Sequence, residues 1–220
     1  MDMKKVLFAW SGGKDSAMAF HDLTREGGYE VVALLTTITE DYDRVSMHGV
    51  RKVLLERQAI SLNIPLEKVL ITKDSSGEDY ECRMREALGR YRDVRAVCFG
   101  DIFLEDLRKY REDNLEKADM KGLFPLWKKD TGLLAREFVG LGFRAIITCV
   151  DTEVLDASFA GRYYDKALID DLPDGVDPCG ENGEFHSFVS AGPMLSRRIS
   201  VAVGETVERD GFVFVDLLPA

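Results

Sequence analysis

The chain has 220 residues, 45% of them hydrophobic, which is enough for one full α/β domain and a smaller second domain around a real core. It carries 29 Lys and Arg against 39 Asp and Glu, a net charge of −10, whereas proteins that bind nucleic acids normally present a basic surface. Four widely spaced cysteines without a C-x-x-C pair indicate neither a zinc knuckle nor a disulfide framework, and no apolar run is long enough to span a bilayer. We therefore expect a cytoplasmic protein with no membrane partner, and nucleic acid is a disfavoured partner.

A glycine-rich turn near the amino terminus stands between an apolar strand and a helix. The strand is predicted over residues 4–10, the turn is Ser11-Gly-Gly-Lys-Asp-Ser16, and the helix is predicted over 15–26. Gly12 and Gly13 allow backbone dihedrals that larger residues resist, so that successive N–H groups can point into one concavity. The turn is therefore predicted to bind a phosphate group.

The side chains of this turn support the same prediction. Lys14 adds a mobile positive charge, Ser11 and Ser16 add hydroxyl donors, and the following helix presents the positive end of its dipole. The turn is not a Walker A loop, because Phe8 stands where that loop has its first glycine and Asp15 separates the lysine from the serine. A tight strand-to-helix turn without a ligand is the alternative interpretation.

Apolar periodicity predicts that strands and helices alternate through the first half of the chain. This rhythm indicates a parallel sheet with helices on both faces, in which ligands bind at the carboxyl ends of the strands. Besides the turn at 11–16, the pairs Thr36 with Thr37 and Gly100 with Asp101 fall at such ends. The further strands are predicted at 29–37, 66–72 and 94–99, and the further helices at 48–62, 80–91 and 103–117.

Two of these helices differ in the surface that they present. The helix predicted over 48–62 has an apolar face with Val50, Val53, Leu54 and Ile60, and this face is expected to be buried. The helix over 103–117 is strongly charged. Its surface is predicted either to be a solvated face or to face substrate.

The rhythm changes in the second half of the chain, which is predicted to form a smaller α+β domain that packs directly on the first. We place the boundary between residues 122 and 123. The predicted elements are a short strand or turn at 123–127, a helix around 134–141, a strand at 144–150, a helix at 164–172 and short strands over 188–217.

The most informative segment of this second half is Cys179-Gly-Glu-Asn-Gly-Glu-Phe-His186. It places two carboxylates, Glu181 and Glu184, and the carboxamide of Asn182 among glycines that let a backbone approach a ligand closely. The segment is predicted to form a second site, and an acidic turn between strands is the alternative.

Several segments match one known family. They are residues 11–16, Met47 with His48, 125–127, 155–162, and 179–184 followed by Gly192-Pro193. Together they resemble the diphthine-ammonia ligase family of PP-loop ATP pyrophosphatases, in the adenine nucleotide alpha hydrolase superfamily, whose members amidate the diphthine side chain of elongation factor 2. The resemblance covers nearly the whole chain. It implies a Rossmann-like (HUP-type) ATP-binding domain over residues 1–122 and a substrate-binding and catalytic domain over 123–220.

The chain departs from the family pattern G-E-G-G-E-[FY]-E-[ST]. Asn182 stands for the second glycine, His186 stands for the third acid, and Ala160 replaces leucine in a Leu-Gly-[KR] triplet. These changes resemble those of a bacterial branch, and bacteria are not expected to make diphthamide. The acceptor is then diphthine on elongation factor 2 if the source is archaeal or eukaryotic, and otherwise an unknown small carboxylate.

The resemblance implies an ATP-dependent ligase that forms AMP and pyrophosphate through an acyl-adenylate, which free ammonia converts to an amide. ATP and Mg²⁺ are the implied cofactors, with Asp15 as the candidate metal ligand. The implied catalytic residues are Lys14, Asp15, Glu181 and Glu184. The implied nucleotide-binding residues are Ser11, Gly12, Gly13, Lys14, Asp15, Ser16, Thr36, Thr37, Gly100 and Asp101, and the implied substrate-binding residues are His48, Trp127, Gly180, Glu181, Asn182, Gly183, Glu184 and His186.

Two other functions are compatible with the pattern. A PP-loop enzyme that modifies tRNA by thiolation or lysidine formation is one, although sulfur transfer would require the fold to bring Cys149 and Cys179 together. A non-enzymatic nucleotide-binding protein is the other, although it would have no use for the glutamate-rich second segment. The sequence leaves the oligomeric state open, and a homo-oligomer is compatible with it.

Overall fold

The computed structural model describes residues 3–46 and 48–220 of the chain. Met47, one residue of the family resemblance, lies outside the described residues. The strands are β1 (Lys4–Ala9), β2 (Tyr29–Thr39), β3 (Arg44–Val45), β4 (Leu66–Ile71), β5 (Ala96–Cys98), β6 (Lys121–Leu123), β7 (Arg144–Asp151), β8 (Phe185–Ala191), β9 (Val201–Arg209) and β10 (Phe212–Pro219). The helices are α1 (Lys14–Glu26), α2 (Lys52–Leu62), α3 (Gly77–Gly89), α4 (Glu105–Glu116), α5 (Thr131–Gly140) and α6 (Lys166–Asp171).

The first half of the chain forms a mainly parallel sheet in the order β4-β2-β1-β5-β6. The short β3 pairs antiparallel with the end of β2. The strand order reverses at β1, because the next strand in the chain, β2, lies on one side of it and β5 lies on the other. Loops that leave a parallel sheet at such a point diverge and open a crevice, which is where ligands bind in sheets of this kind.

Each face of this sheet has its own apolar core. Alternate residues of β1 point to opposite faces, so Phe8 joins the core with α1 and α2, whereas Leu7 joins the core with α3 and α4. The predicted α/β, Rossmann-like sheet with helices on both faces is therefore confirmed. Among the helices of residues 3–46 and 48–220, none has the length and apolar character needed to cross a bilayer.

The second half forms a four-stranded antiparallel sheet in the order β8-β7-β10-β9, accompanied by α5 and α6. Ile146 of β7 and Phe188 of β8 belong to the same core as the residues of α1 and α2. One continuous core therefore joins the two halves, and the predicted smaller α+β part is confirmed.

Helix α2 begins at Lys52, not at the predicted residue 48. The residues before it form a turn in which Arg44 bridges to Arg51. Gly49 in this turn has a φ of 66°, a left-handed conformation that does not belong in an α-helix. The predicted start of this helix was therefore wrong, because the turn makes pairing contacts that the apolar pattern does not encode.

The predicted buried face of α2 was also wrong in part. Ile60 is 61% exposed, whereas Gln58 is fully buried. The Gln58 amide accepts a hydrogen bond from Trp10 Nε1 at 2.9 Å and donates to the carbonyl oxygens of Gly12 at 3.1 Å and Val189 at 2.7 Å. A buried amide with its partners satisfied is tolerated, so tertiary hydrogen bonds override the apolar periodicity here.

Asp216 on β10 ties the second sheet to the turn before α2. Its carboxylate forms ion pairs with Arg44 at 2.8 Å and Arg51 at 2.6 Å. Hydrogen bonds from Arg51, and further ones from Arg44, outweigh the effect of burial and lower the pKa of Asp216 to about 2. A carboxyl group whose pKa is lower in the folded chain stabilises the fold above its unfolded pKa, and this contribution is lost as the pH falls through the folded value.

We expect Asp216→Asn to lower the free energy of unfolding at pH 7 by about 2 kcal/mol, measured by urea unfolding. The deficit should shrink below about pH 4 and disappear near pH 2, where the wild-type carboxyl group is also protonated. Asp174→Asn is the matched control, because Asp174 is exposed and forms no ion pair within residues 3–46 and 48–220. A deficit that stays constant from pH 7 to pH 2 would contradict this account.

Candidate active site at the junction of the two sheets

A cavity of about 730 Å³ lies at the carboxyl ends of β1, β2 and β5 and reaches the segment before β8. It has the size of a small-molecule site. Most of the residues predicted from five separate parts of the chain meet in its wall. They are Ser11, Gly13, Lys14, Asp15, Ser16, Thr36, Thr37, His48, Gly100, Asp101, Gly180, Glu181, Asn182, Gly183 and His186.

The turn at 11–16 is held in place by both halves of the chain. Gly12 has a φ of 78°, and a Cβ atom there would lie 2.7 Å from Gln58 Oε1, so this position requires glycine. The Gly12 carbonyl accepts hydrogen bonds from Gln58 and from the Val189 backbone N–H at 2.9 Å. Gly12 therefore shapes the turn without lining the cavity.

Gly100 shapes the same turn from the side of β5. A Cβ atom at Gly100 would lie 2.9 Å from the carbonyl carbon of Asp15 and 2.9 Å from the backbone nitrogen of Ser16. Any larger residue would push the end of β5 away from the start of α1. The predicted placement of Gly100 at a strand end thus corresponds to a close contact between two backbones.

Lys14 is the buried cation of the site, with 3% of its surface exposed. Its Nζ donates hydrogen bonds to Asp15 Oδ2 at 2.8 Å and to the carbonyl oxygen of Cys179, and it lies 5.1 Å from the centroid of the Phe185 ring. Burial has the largest single effect and lowers the pKa of Lys14, but the charge of Asp15, its hydrogen bond and the charge of Glu181 act together with further groups to raise the pKa overall. The two carboxylate oxygens of Asp15 and the Cys179 carbonyl oxygen thus give the three N–H donors of this ammonium group three acceptors within the chain.

Strand β8 closes on the turn from the second sheet. The Lys14 backbone N–H donates to Ser187 Oγ at 3.2 Å, and a Cβ atom at Gly13 would lie 3.0 Å from the Ser187 carbonyl oxygen. Ser187 is buried, with 2% of its surface exposed. The second sheet therefore helps to hold the turn at 11–16 in place.

Glu181 bridges the two halves at the cavity wall. Its Oε1 accepts hydrogen bonds from the backbone N–H groups of Ile102 at 2.6 Å and Phe103 at 3.3 Å. Burial raises the pKa of Glu181 to about 7, and the charge of Asp15 adds to this, although the two hydrogen bonds oppose it. A carboxyl group that titrates near neutral pH in a cavity is suited to general acid–base chemistry.

Glu184 organises the segment from within rather than lining the cavity. It is 5% exposed, and its carboxylate accepts hydrogen bonds from the Asp177 backbone N–H at 3.0 Å and from both the backbone N–H and Nδ2 of Asn182, at 3.0 and 2.9 Å. Asn182, which departs from the family pattern, thus supplies two of the donors that a buried carboxylate requires.

Two buried polar atoms in the cavity wall lack a partner among the described residues, namely Thr36 Oγ1 and His48 Nδ1. Thr36 is 4% exposed. An unsatisfied buried polar atom costs about 1–3 kcal/mol, so each is a position where a bound ligand gains a hydrogen bond. Asp101 is already engaged, because it forms a bidentate ion pair with Arg111 at 2.6 and 3.1 Å.

Trp127 does not line the cavity. Its ring lies 4.5 Å from the guanidinium carbon of Arg108, and its centroid is 5.9 Å from that of Phe124. Trp127 therefore packs against α4 through a cation–π contact with Arg108. Substrate binding by Trp127 therefore stays a prediction without a contact to the cavity.

The two cysteines considered for sulfur transfer are not activated as nucleophiles. Cys149 and Cys179 are both buried, and burial raises the pKa of Cys149 to about 12 and that of Cys179 further. Buried thiols of raised pKa are poor nucleophiles. Among residues 3–46 and 48–220, no group of three or more His, Cys, Asp or Glu side chains is arranged to hold a metal ion.

Sequence patterns missed several residues of the site. Gln58 was not among the residues expected to be buried. Its position four residues after Leu54 and three after Leu55, on the same side of α2, was an available signal. Ser187 directly follows the predicted segment, but its contact with Lys14 spans 173 positions in the chain. The apolar part of the cavity lies between α3 and α4 and includes Met84, Leu88, Leu104, Leu107 and Leu115. The helix over 103–117 was predicted either to be solvated or to face substrate, and α4 does line the cavity, but the apolar side chains of α3 were missed.

Two family models match the chain. The diphthamide synthase N-terminal domain matches residues 3–122, and the diphthamide synthase C-terminal domain matches residues 130–216. Together they include both the turn at 11–16 and the segment at 179–186.

Curated proteins named diphthine–ammonia ligase are similar to the chain along most of its length. The protein of Schizosaccharomyces pombe is 29% identical over 226 residues, which cover 93% of this chain but only 37% of that protein. The mouse protein is 25% identical over 232 residues, covering 93% of this chain and 85% of that protein, and the zebrafish protein is 25% identical, covering 92% and 88%. The chain therefore belongs to the diphthamide synthase family of enzymes and contains regions that match both of its domains.

Proposed function

We propose that the chain is an ATP-dependent, AMP-forming carboxylate–ammonia ligase of the diphthine–ammonia ligase type. In this proposal residues 1–122 bind ATP and residues 123–220 bind the acyl substrate. The observation that carries it is the shared cavity, in which the turn at 11–16 meets the segment at 180–186. A nucleotide bound at the turn and a carboxylate bound at the segment 180–186 would be close enough to react.

The turn supports cleavage of ATP between its α and β phosphates. Backbone N–H groups at the start of α1, the dipole of α1 and the positive charge of Lys14 would stabilise the charge that develops on the departing pyrophosphate. Thr36, Thr37, Gly100 and Asp101 lie along the same wall, and the unsatisfied Thr36 hydroxyl suits a contact with adenosine.

The donor set fits a magnesium ion that arrives with the nucleotide. Mg²⁺ is usually held by one or two carboxylates together with phosphate oxygens and water, so a preformed cluster of ligands is not required. Asp15 lines the cavity, and its side chain is 31% exposed, which leaves an oxygen accessible beside the turn. When bound, the ion would neutralise part of the charge of the pyrophosphate.

Amide formation would follow at the second segment. The substrate carboxylate attacks the α phosphate and pyrophosphate leaves; ammonia then attacks the acyl carbon and AMP leaves. Glu181, with a pKa of about 7, would bind ammonium as a carboxylate and accept its proton. Gly180, Asn182 and Gly183 would position the acceptor, whereas Glu184 would act by holding the segment in shape. The acceptor is the diphthine of elongation factor 2 in a source that makes it, and otherwise a small carboxylate.

The products of ATP turnover test this function. With Mg²⁺, ammonium chloride and either elongation factor 2 carrying diphthine or a panel of small carboxylates, we expect α-labelled ATP to yield AMP and pyrophosphate. The same carboxylate alone should support exchange of labelled pyrophosphate into ATP. ADP and phosphate as the products would overturn the ligase proposal. The buried thiols of Cys149 and Cys179 give sulfur transfer to tRNA no support.

A further inference from the structure

Two histidines form a pair in the cavity wall. The ring centroids of His48 and His186 are 4.4 Å apart, and the ring planes are tilted by 39°. One residue comes from the turn before α2 and the other from β8. A Cβ atom at Gly13 would lie 3.5 Å from His48 Cε1, so the pair lies directly beside the turn at 11–16.

His48 has an unused polar atom at this place. Its Nδ1 is buried and has no hydrogen-bond partner within the part of the chain that the structure describes. Buried polar atoms in folded proteins almost always have a partner, and an exception beside a binding site marks a position for a ligand atom. A phosphate oxygen would accept a hydrogen bond from Nδ1 whenever that nitrogen carries a proton.

Both imidazoles are neutral near pH 7 without a ligand. Burial, followed by the charge of Lys14, lowers the pKa of His186 to about 4. Burial, then His186 and Lys14, lower the pKa of His48 well below its usual value. Three groups face the pair from the neighbouring elements: Lys14 from α1, the Ser187 backbone from β8, and the neutral thiol of Cys149 from β7, which pairs with His186. Lys14 is thus the charged group that disfavours protonation.

We infer that His48 and His186 form a phosphate-binding site that takes up a proton as the nucleotide binds. The inference rests on the proposed function, because the phosphate is that of the nucleotide. The negative charge of a phosphate exceeds the positive charge of Lys14, part of which Asp15 already offsets, so that the charged imidazolium becomes favoured. The proton comes from solvent and is donated to a phosphate oxygen as a hydrogen bond. It returns to solvent when the phosphate product leaves.

Calorimetry of the full chain measures this proton directly. We would titrate the protein with α,β-methylene-ATP, which resists cleavage between the α and β phosphates, at pH 6.5 in PIPES and in Bis-Tris. Because these buffers differ in their enthalpy of ionisation, the difference in binding enthalpy gives the number of protons taken up. The wild type is expected to take up a substantial fraction of one proton, and less as the pH rises to 8.5. His48→Gln and His186→Gln should lose most of this uptake and bind about tenfold more weakly at pH 6.5.

His21→Gln is the matched control. His21 lies on α1, near Asp22 and Phe143, and does not line the cavity, so this variant should keep the wild-type uptake. Equal uptake by the wild type and all three variants would overturn the inference while leaving the proposed function intact. A wild-type chain that binds no nucleotide would overturn both.

Ring-proton NMR of the wild type removes any dependence on the folding of a variant. The chain has three histidines, so only three sets of ring signals have to be distinguished. Two signals should not titrate above about pH 5 in the free chain, and they should move toward the imidazolium position when inorganic pyrophosphate is added at pH 6.5. Signals that do not respond to pyrophosphate would contradict a phosphate site at this pair.

Discussion

Replacement of Lys14 by methionine is expected to lower the rate of AMP formation by at least about 10²–10³-fold. The ammonium group is a buried positive charge in the wall of the cavity, next to the turn at 11–16. Methionine keeps a long side chain against Phe185 and Tyr164, so the variant removes the charge and largely preserves the packing. The loss should appear in kcat as well as in nucleotide affinity, because charge develops on the pyrophosphate as the bond breaks.

The measurement is the initial rate of AMP release with Mg²⁺ and the best carboxylate of the panel, together with nucleotide affinity by calorimetry. Lys4→Met is the matched control, since Lys4 is exposed at the start of β1 and lies on no wall of the cavity. Thermal unfolding of both variants shows whether the fold is retained. A Lys14→Met enzyme that stays folded and keeps its rate would exclude a role for this lysine in stabilising the transition state.

Replacement of Glu181 by glutamine is expected to lower the rate of amide formation by about 10²-fold or more while sparing pyrophosphate exchange. Activation of the carboxylate requires no base, whereas ammonia needs a group that accepts its proton. The wild-type pH profile should rise through about pH 7, because Glu181 acts as a carboxylate and its pKa is about 7. The Glu181→Gln variant should not show this rise in rate with pH when the concentration of free ammonia is held constant at each pH.

The same substitution should not destabilise the fold at pH 8. A carboxyl group whose pKa is raised in the folded chain lowers the free energy of unfolding as the pH rises from its unfolded pKa to its folded pKa. Glutamine avoids this cost, and its carbonyl oxygen still accepts from the backbone of Ile102. Glu153→Gln, at an exposed position, is the control. If exchange falls as far as amide formation, Glu181 acts in nucleotide binding and not as the base.

The sequence was sufficient for features that depend on local pattern. The strand, glycine turn and helix at residues 4–26 follow from residues adjacent in the chain, and the structure has β1 and α1 there. The alternation of strands and helices also led to a parallel sheet, in which the ends of β1, β2 and β5 necessarily share one edge. Thr36 and Gly100 were therefore placed near the turn at 11–16 without knowledge of any contact, and both line the cavity.

Features that depend on long-range packing were not accessible in this way. The start of α2 was predicted too early, because the left-handed Gly49 and the pairing of Arg44 with Arg51 are set by the sheet and not by apolar periodicity. The burial of Gln58 depends on acceptors in the turn and in β8. The family resemblance implies that Glu184 is a catalytic residue, yet its carboxylate accepts three hydrogen bonds from the neighbouring residues Asp177 and Asn182.

The sequence by itself determined that a glycine-rich turn lies at the edge of a parallel sheet and that the chain resembles a known family, whereas phosphate binding by the turn stays a prediction. Only the tertiary structure decided that the Ser187 hydroxyl holds the Lys14 backbone N–H, that Glu181 is buried enough to titrate near neutral pH, and that two neutral imidazoles lie beside the turn. The physical reason is that hydrogen bonds and the desolvation of a charge depend on which groups surround an atom in space. For the backbone N–H of Lys14, that group is the hydroxyl of Ser187, 173 positions away in the chain.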